Sequence, residues 1–122
     1  MVYSKYCGKS KILSVELRGN IEINEMFQFI DVLIEKSISN THLLILEESN
    51  NAGFNFFIED ISKIINCLRQ KIGDSCRVRH AMVRSCPKGT ALGILHGNIN
   101  NIENYSVDVF STRNGAMNWL LK

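Results

Sequence analysis

Tyr105-Ser-Val-Asp-Val-Phe-Ser-Thr-Arg-Asn-Gly-Ala-Met-Asn-Trp-Leu-Leu-Lys122 decides the fold class of this chain. Its first six residues alternate, with Val107 and Val109 on one face and Asp108 on the other, as a strand does. Ser111 and Thr112 then offer N-cap hydroxyls. Ala116, Met117, Trp119, Leu120 and Leu121 continue at helical spacing to the end. A strand running straight into an amphipathic helix that carries the only Trp is an α/β signature.

Working backwards, each earlier segment adds to the same pattern. Val2–Tyr6 and Ile12–Arg18 read as a hairpin around Gly8-Lys-Ser10, ended by Gly19-Asn20, with Leu13, Val15 and Leu17 on the buried face. The spacing of Met26, Phe29, Ile30, Leu33 and Ile34 predicts a helix over 25–38 with Asn24 as cap. Leu43-Leu-Ile-Leu46 is a strand buried on both faces, and Glu47–Gly53 reads as a polar loop. A second helix is expected over 56–71, capped by Asn55, with Phe57, Ile61, Ile64, Ile65, Leu68 and Ile72 inward and Gly73-Asp-Ser75 as its stop. Val78–Arg84 is a further strand. Pro87 at a first helical position, after Cys86, opens a helix to about His96. Gly89, Gly93 and Gly97 should make this helix the weakest or the shortest, since an interior Gly costs about 1 kcal/mol relative to Ala. The expected fold is a single α/β domain over 1–122. It has a four- to five-stranded, mostly parallel mixed sheet, an opening β-hairpin and about four flanking helices.

The tail also resembles the small STAS-like, or SEC14-like, domains related to bacterial anti-sigma-factor antagonists. Val107, Val109, Phe110, Ala116, Trp119 and Leu120 match the ending V-x-V-F … A-x-x-W-L of those chains. Val15–Gly19 looks like their second strand, Leu44–Glu47 like their apolar run closed by an acid, and Arg79–Val83 like the strand before their third helix. The resemblance implies a four- or five-stranded mixed sheet flanked by helices and, as a rule, no enzymatic activity. Antagonists of this kind carry a D-S-S-G stretch whose serine, at the start of the second helix, is phosphorylated to break partner binding. Counted from Glu47, that stretch falls near Phe54-Asn-Phe-Phe57, where no serine stands. The resemblance therefore implies a binding module without the phospho-switch. Ser49 and Ser62 are the nearest serines, one in the expected loop and one inside the expected helix.

Composition narrows the function classes. With 122 residues, 45% hydrophobic, 21% charged and one Pro, the chain suits one ordinary core. No apolar run approaches the ~20 residues of a membrane span. Met1–Lys9 has no hydrophobic core of the signal-peptide kind, so a cytoplasmic home is expected. Cys7, Cys67, Cys76 and Cys86 form no C-x-x-C pair and are read as reduced thiols. His42, His80 and His96 share no ligand spacing, so no metal or other cofactor is expected, and His80 reads as a hydrogen-bonded core residue. Residues 1–60 hold five Lys/Arg and nine Asp/Glu, a net −4, whereas residues 61–122 hold nine and three, a net +6. Arg69, Lys71, Arg77, Arg79, Arg84 and Lys88 oppose only Asp74. That block reads as a solvated rim rather than a nucleic-acid surface, because no recognition motif accompanies it.

Three features remain as candidates for function. Phe54 and Phe56, with Ser49, Asn55 and Cys86 nearby, lie where open α/β sheets place binding crevices, at the carboxyl end of a buried strand. They mark a surface for a protein partner or the mouth of a pocket for an apolar, lipid-like ligand, or they tuck beneath the 47–53 loop. Cys86 sits before a helix N-terminus between Arg84 and Lys88, which favours a thiolate, but no acid–base partner is fixed and a structural thiol at a strand end is the favoured reading. Phe27, Val32 and Ile38 widen the apolar arc of the first helix. They form a homodimer face or are covered by neighbouring helices of the same chain.

Overall fold

The computed structural model describes residues 1–122, apart from the side chain of residue 99. Its elements run β1 Val2–Cys7, β2 Ile12–Ile21, α1 Ile23–Ile38, β3 His42–Phe54, α2 Ile58–Lys71, β4 Arg77–Val83, α3 Pro87–Ile99, β5 Tyr105–Phe110 and α4 Arg113–Leu120. The five strands lie side by side in chain order, β1-β2-β3-β4-β5. β1 and β2 form the antiparallel hairpin, and β2, β3, β4 and β5 are parallel neighbours joined by helical crossovers. This is the mixed sheet with flanking helices that the tail implied.

Alternation along the strands sends side chains to two unequal layers. Leu43 and Ile45 of β3, Val78 of β4 and Tyr105 of β5 point into the larger core, with Phe29, Ile30 and Leu33 of α1, Ile61, Ile64, Ile65 and Leu68 of α2, and Leu92 of α3. Leu46, Ala81 and Val83 point the other way, onto Ala116 and Leu120 of α4. Three helices thus cover one face and one helix covers the other. Trp119 lies against Phe110, centroids 5.7 Å apart, with the Arg79 guanidinium 4.5 Å above its ring. Leu121 lies past the end of α4 and is exposed.

Two stretches read as breaks are extended chain. Gly19-Asn20 does not end β2, and Glu47–Gly53 is not a loop. Beyond Glu48, β3 leaves β4 behind but stays on β2, with Arg18, Gly19, Asn20 and Ile21 opposite Asn51, Ala52, Gly53 and Phe54. Main-chain pairing with a neighbour keeps this polar segment extended without help from apolar side chains. The ladder slips between Glu16 and Arg18, and Gly19 at φ +73° takes up the kink in a conformation that glycine adopts freely.

Helix starts shift for one reason. α1 is capped at Glu22, not Asn24, and the Glu22 N–H donates to Glu25 Oε1 at 3.2 Å. α2 is capped at Phe57, not Asn55, and the Phe57 N–H donates to Asp60 Oδ2 at 2.9 Å. In both, an acid three residues in satisfies an otherwise orphaned donor. α3 does begin at Pro87 with Cys86 as cap, its Sγ accepting from the Gly89 N–H at 3.2 Å. At 13 residues it is not the shortest helix, which is α4 with 8.

Candidate functional site

The aromatic corner is arranged differently from the sequence expectation. Phe54 and Phe56 are buried, their rings edge to face at 5.7 Å, and Gly89 lies close enough that a Cβ there would sit 2.8 Å from the Phe54 ring. They are core, not a partner surface or a pocket mouth. Ser49 is likewise buried, its hydroxyl donating to the Val83 carbonyl at 3.3 Å. Phe57, expected inward, is 68% exposed, and Ile58 beside it is 63% exposed. The cause is strand length. β3 runs on to Phe54, so the short link Asn55–Phe57 carries Phe56 under α2 and leaves Phe57 as an outward cap. Asn55 stays at the surface and donates to Glu22 Oε1 at 2.6 Å. Lys88 Nζ reaches the Phe54 carbonyl at 2.7 Å and stands 5.7 Å above the Phe57 ring.

Under this corner lies a polar cluster that the sequence reading did not assemble. Glu47, fully buried, faces the three-helix layer from β3. Its Oε2 accepts from Arg84 Nη2 at 2.6 Å and Nε at 3.1 Å, and its Oε1 pairs with His80 Nε2 at 3.2 Å. His80 Nδ1 meets the Tyr105 hydroxyl at 2.7 Å. The remaining arm of Arg84 donates from Nη1 to the Gly89 carbonyl at 3.1 Å, tying the cluster to the first turn of α3. His80 thus bridges the Glu47 carboxylate and the Tyr105 hydroxyl through its two ring nitrogens, leaving neither without a partner. Arg84 is 4% exposed, so it is not part of a solvated rim. The rest of the basic block disperses, with Lys71 pairing Asp31 at 2.7 Å and Arg79 lying over Trp119 on the opposite face of the sheet.

The cluster fixes its own charge state. Burial alone would raise the Glu47 carboxyl, but the Arg84 guanidinium and the His80 contact outweigh it and hold the group at about 2. Burial first, and then Glu47, drive the Tyr105 phenol well above its ordinary range. His96 of α3 completes the group, its ring 6.4 Å from His80 and 77° to it. Burial, reinforced by His80 and Arg84, lowers His96 to about 3 against partial relief from Glu47. His96 Nε2 is buried with no hydrogen-bond partner among the described residues. It borders a small cavity of about 20 Å³ shared with Glu47, His80, Tyr105 and apolar side chains of α1 and α2. Such a space admits about one water and no organic ligand.

A larger opening lies at the sheet edge. An open groove of about 590 Å³ runs between α3 and β5, past Thr90, Gly93, Gly97, Val107 and Val109. β5 defends this edge with local bonds. The Tyr105 N–H donates to the Ile102 carbonyl at 3.1 Å, Asn100 Nδ2 to the Tyr105 carbonyl at 2.8 Å, and the Val109 N–H to Asp108 Oδ1 at 2.8 Å. The glycine stripe of α3 is a packing device, since a Cβ on Gly93 would come within 2.8 Å of Val109 Cγ2. Cys86 is half-buried and its sulfur is engaged in capping α3. Phe27 and Val32 are partly buried against the main core, which leaves Ile38, 79% exposed, as the outlying member of the expected dimer face.

The signal for the cluster was present as alternation. Positions 43, 45 and 47 share a face, as do 78, 80, 82 and 84, so a strand buried at Ile45 and Val78 must bury Glu47, His80 and Arg84 as well. Ending the third strand at Leu46 hid it.

No family model matches the chain, and no curated protein matches it. Among solved structures it is similar to an uncharacterized protein of the DUF3478 family, with a SpoIIAA-like fold, from Shewanella loihica PV-4. That likeness has a TM-score of 0.63 at 12% identity and covers 98% of this chain and 92% of the other. The fold is therefore the STAS-like, SpoIIAA-like one. No helix among the described residues is long and apolar enough to cross a membrane.

Proposed function

We propose that this STAS-like chain is a non-catalytic regulatory module of the bacterial cytoplasm, acting by protein–protein contact through the corner at Phe57 and Ile58. The observation that carries the reading is the adjacent exposure of these two residues, 68% and 63%, at the first turn of α2. A phenyl ring held in water forgoes roughly 1.5–3 kcal/mol that a partner's apolar pocket recovers. Counted from Glu47, the stretch that carries the antagonists' phosphorylatable serine would fall near Phe54–Phe57, beside this corner. Here Phe and Asn fill those positions, so binding is not controlled by phosphate.

The non-catalytic part rests on the polar cluster. Glu47, His80 and Arg84 are the residue types that do acid–base work, yet they spend their hydrogen bonds on one another beneath three helices. The adjoining cavity, about 20 Å³, has no room for a substrate.

The test is quantitative capture from a bacterial lysate with the wild-type chain, Phe57→Asp and Ile38→Asp. A partner held by the wild type and Ile38→Asp but weakened at least tenfold by Phe57→Asp supports the reading. Equal retention by all three, or no partner at all, overturns it.

A further inference from the structure

The buried stripe of α3 is Gly89, Leu92, Gly93 and His96, at helical spacing. Two of these have no side chain, so the fully buried anchors of the helix are one large apolar residue and one imidazole, with Leu95 partly buried beside them. Three glycines also weaken it from within, each by about 1 kcal/mol relative to Ala. The imidazole is the uncommon choice. His96 is 6% exposed, and its Nε2 has no partner among the described residues.

A proton on His96 would meet a single counter-charge among the described residues, the Glu47 carboxylate, which is already paired. β4 presents His80 and, just past its end, the Arg84 guanidinium, β5 the Tyr105 phenol and β3 the Glu47 carboxylate, whose two oxygens are already taken by His80 and Arg84. From α1 and α2 the cavity receives only Met26, Phe29, Ile30, Leu33, Ile64 and Leu68. The cation would stand beside the Arg84 guanidinium, facing a carboxylate whose hydrogen bonds are already made.

We propose that α3 is an acid-released latch, in which protonation of His96 frees the helix from the sheet while the strands and the other helices stay folded. Local opening of a weakly anchored element costs less than global unfolding. Once open, His96 binds a proton with the ordinary imidazole affinity, near pH 6.5. Closed, it stays neutral across the same range. The opening equilibrium therefore rises by about 25-fold from pH 7 to pH 5. Release uncovers Leu92 and the β5 face around Val109, and so adds apolar surface that the closed form lacks.

Native-state hydrogen exchange, corrected for intrinsic rates and compared at pH 7 and pH 5, tests this. Amides of α3 should be less protected than those of β3 and β4 at pH 7. They should lose about 25-fold more protection at pH 5, a loss absent in His96→Leu. Protection of α3 equal to that of β3 and β4 at both pH values, or an undiminished loss in His96→Leu, overturns the proposal. Ring NMR of the wild type gives a check independent of the variant. If His96 titrates near pH 6.5 with α3 amides still protected, there is no latch. If it charges only as those amides open, the latch stands.

Discussion

A carboxylate with no exposure costs several kcal/mol to desolvate, and it persists only where its partners are held in good geometry. Glu47 has two such partners, which makes it the residue most sensitive to small chemical change. Arg84→Met leaves the charge with the His80 contact alone and should destabilise by about 3–5 kcal/mol, read as a lower urea midpoint. The double change Glu47→Leu with Arg84→Met should cost clearly less than the two single effects added together, because the second replacement removes the charge that the first exposes. An additive double mutant would show that the pair is not coupled. Acid acts on the same residue. Its folded pKa, about 2, lies below the ordinary carboxyl value of 4.5. The stabilisation is thus full above pH 4.5 and is lost as pH falls towards 2. In Glu47→Gln the urea midpoint should be lower at pH 7, and the part of the acid loss below pH 4.5 should be smaller than in the wild type.

Among the elements, α3 and α4 make opposite use of small residues. Gly93 is a contact position, and Gly93→Ala would press Cβ to within 2.8 Å of Val109 Cγ2. A loss of about 1–3 kcal/mol is expected. The nearest atom to a Cβ on Gly97 is the Val107 carbonyl oxygen, at an ordinary 3.7 Å. Gly97→Ala should therefore stabilise by up to about 1 kcal/mol, so thermal melts of the two variants should move in opposite directions. α4 depends on its cap instead, Thr112 Oγ1 accepting from the Gly115 N–H at 3.1 Å. Thr112→Ala should cost about 1 kcal/mol. The caps of α4 and α3 were legible because Thr112 and Cys86 stand directly before their helices. Those of α1 and α2 were not, because Glu25 and Asp60 cap from inside and give no sign at the position they satisfy.

For the whole molecule, the three-helix layer sets the outer surface. It covers Phe27 and Val32 within one chain and leaves Ile38 isolated. Light scattering at micromolar concentration should give 13.9 kDa, and a doubled mass that reverts on Phe27→Asp would overturn this. Class and order of elements were determined by the sequence, because the period-two and period-3.6 patterns are local and the apolar runs that carry them are long. Trp119, Ala116 and Val107 sit where those patterns place them. What only the tertiary structure decided was the fate of polar and aromatic residues at the junctions. Asn51–Gly53 became strand because β2 was beside them to pair. Phe56 and Phe57 exchanged inside and outside because β3 ran on to Phe54. Glu47, His80, Arg84, Tyr105 and His96 met because four separate elements deliver them to one point. Periodicity records how a residue faces along its own element, and it carries no record of which neighbour that face will meet.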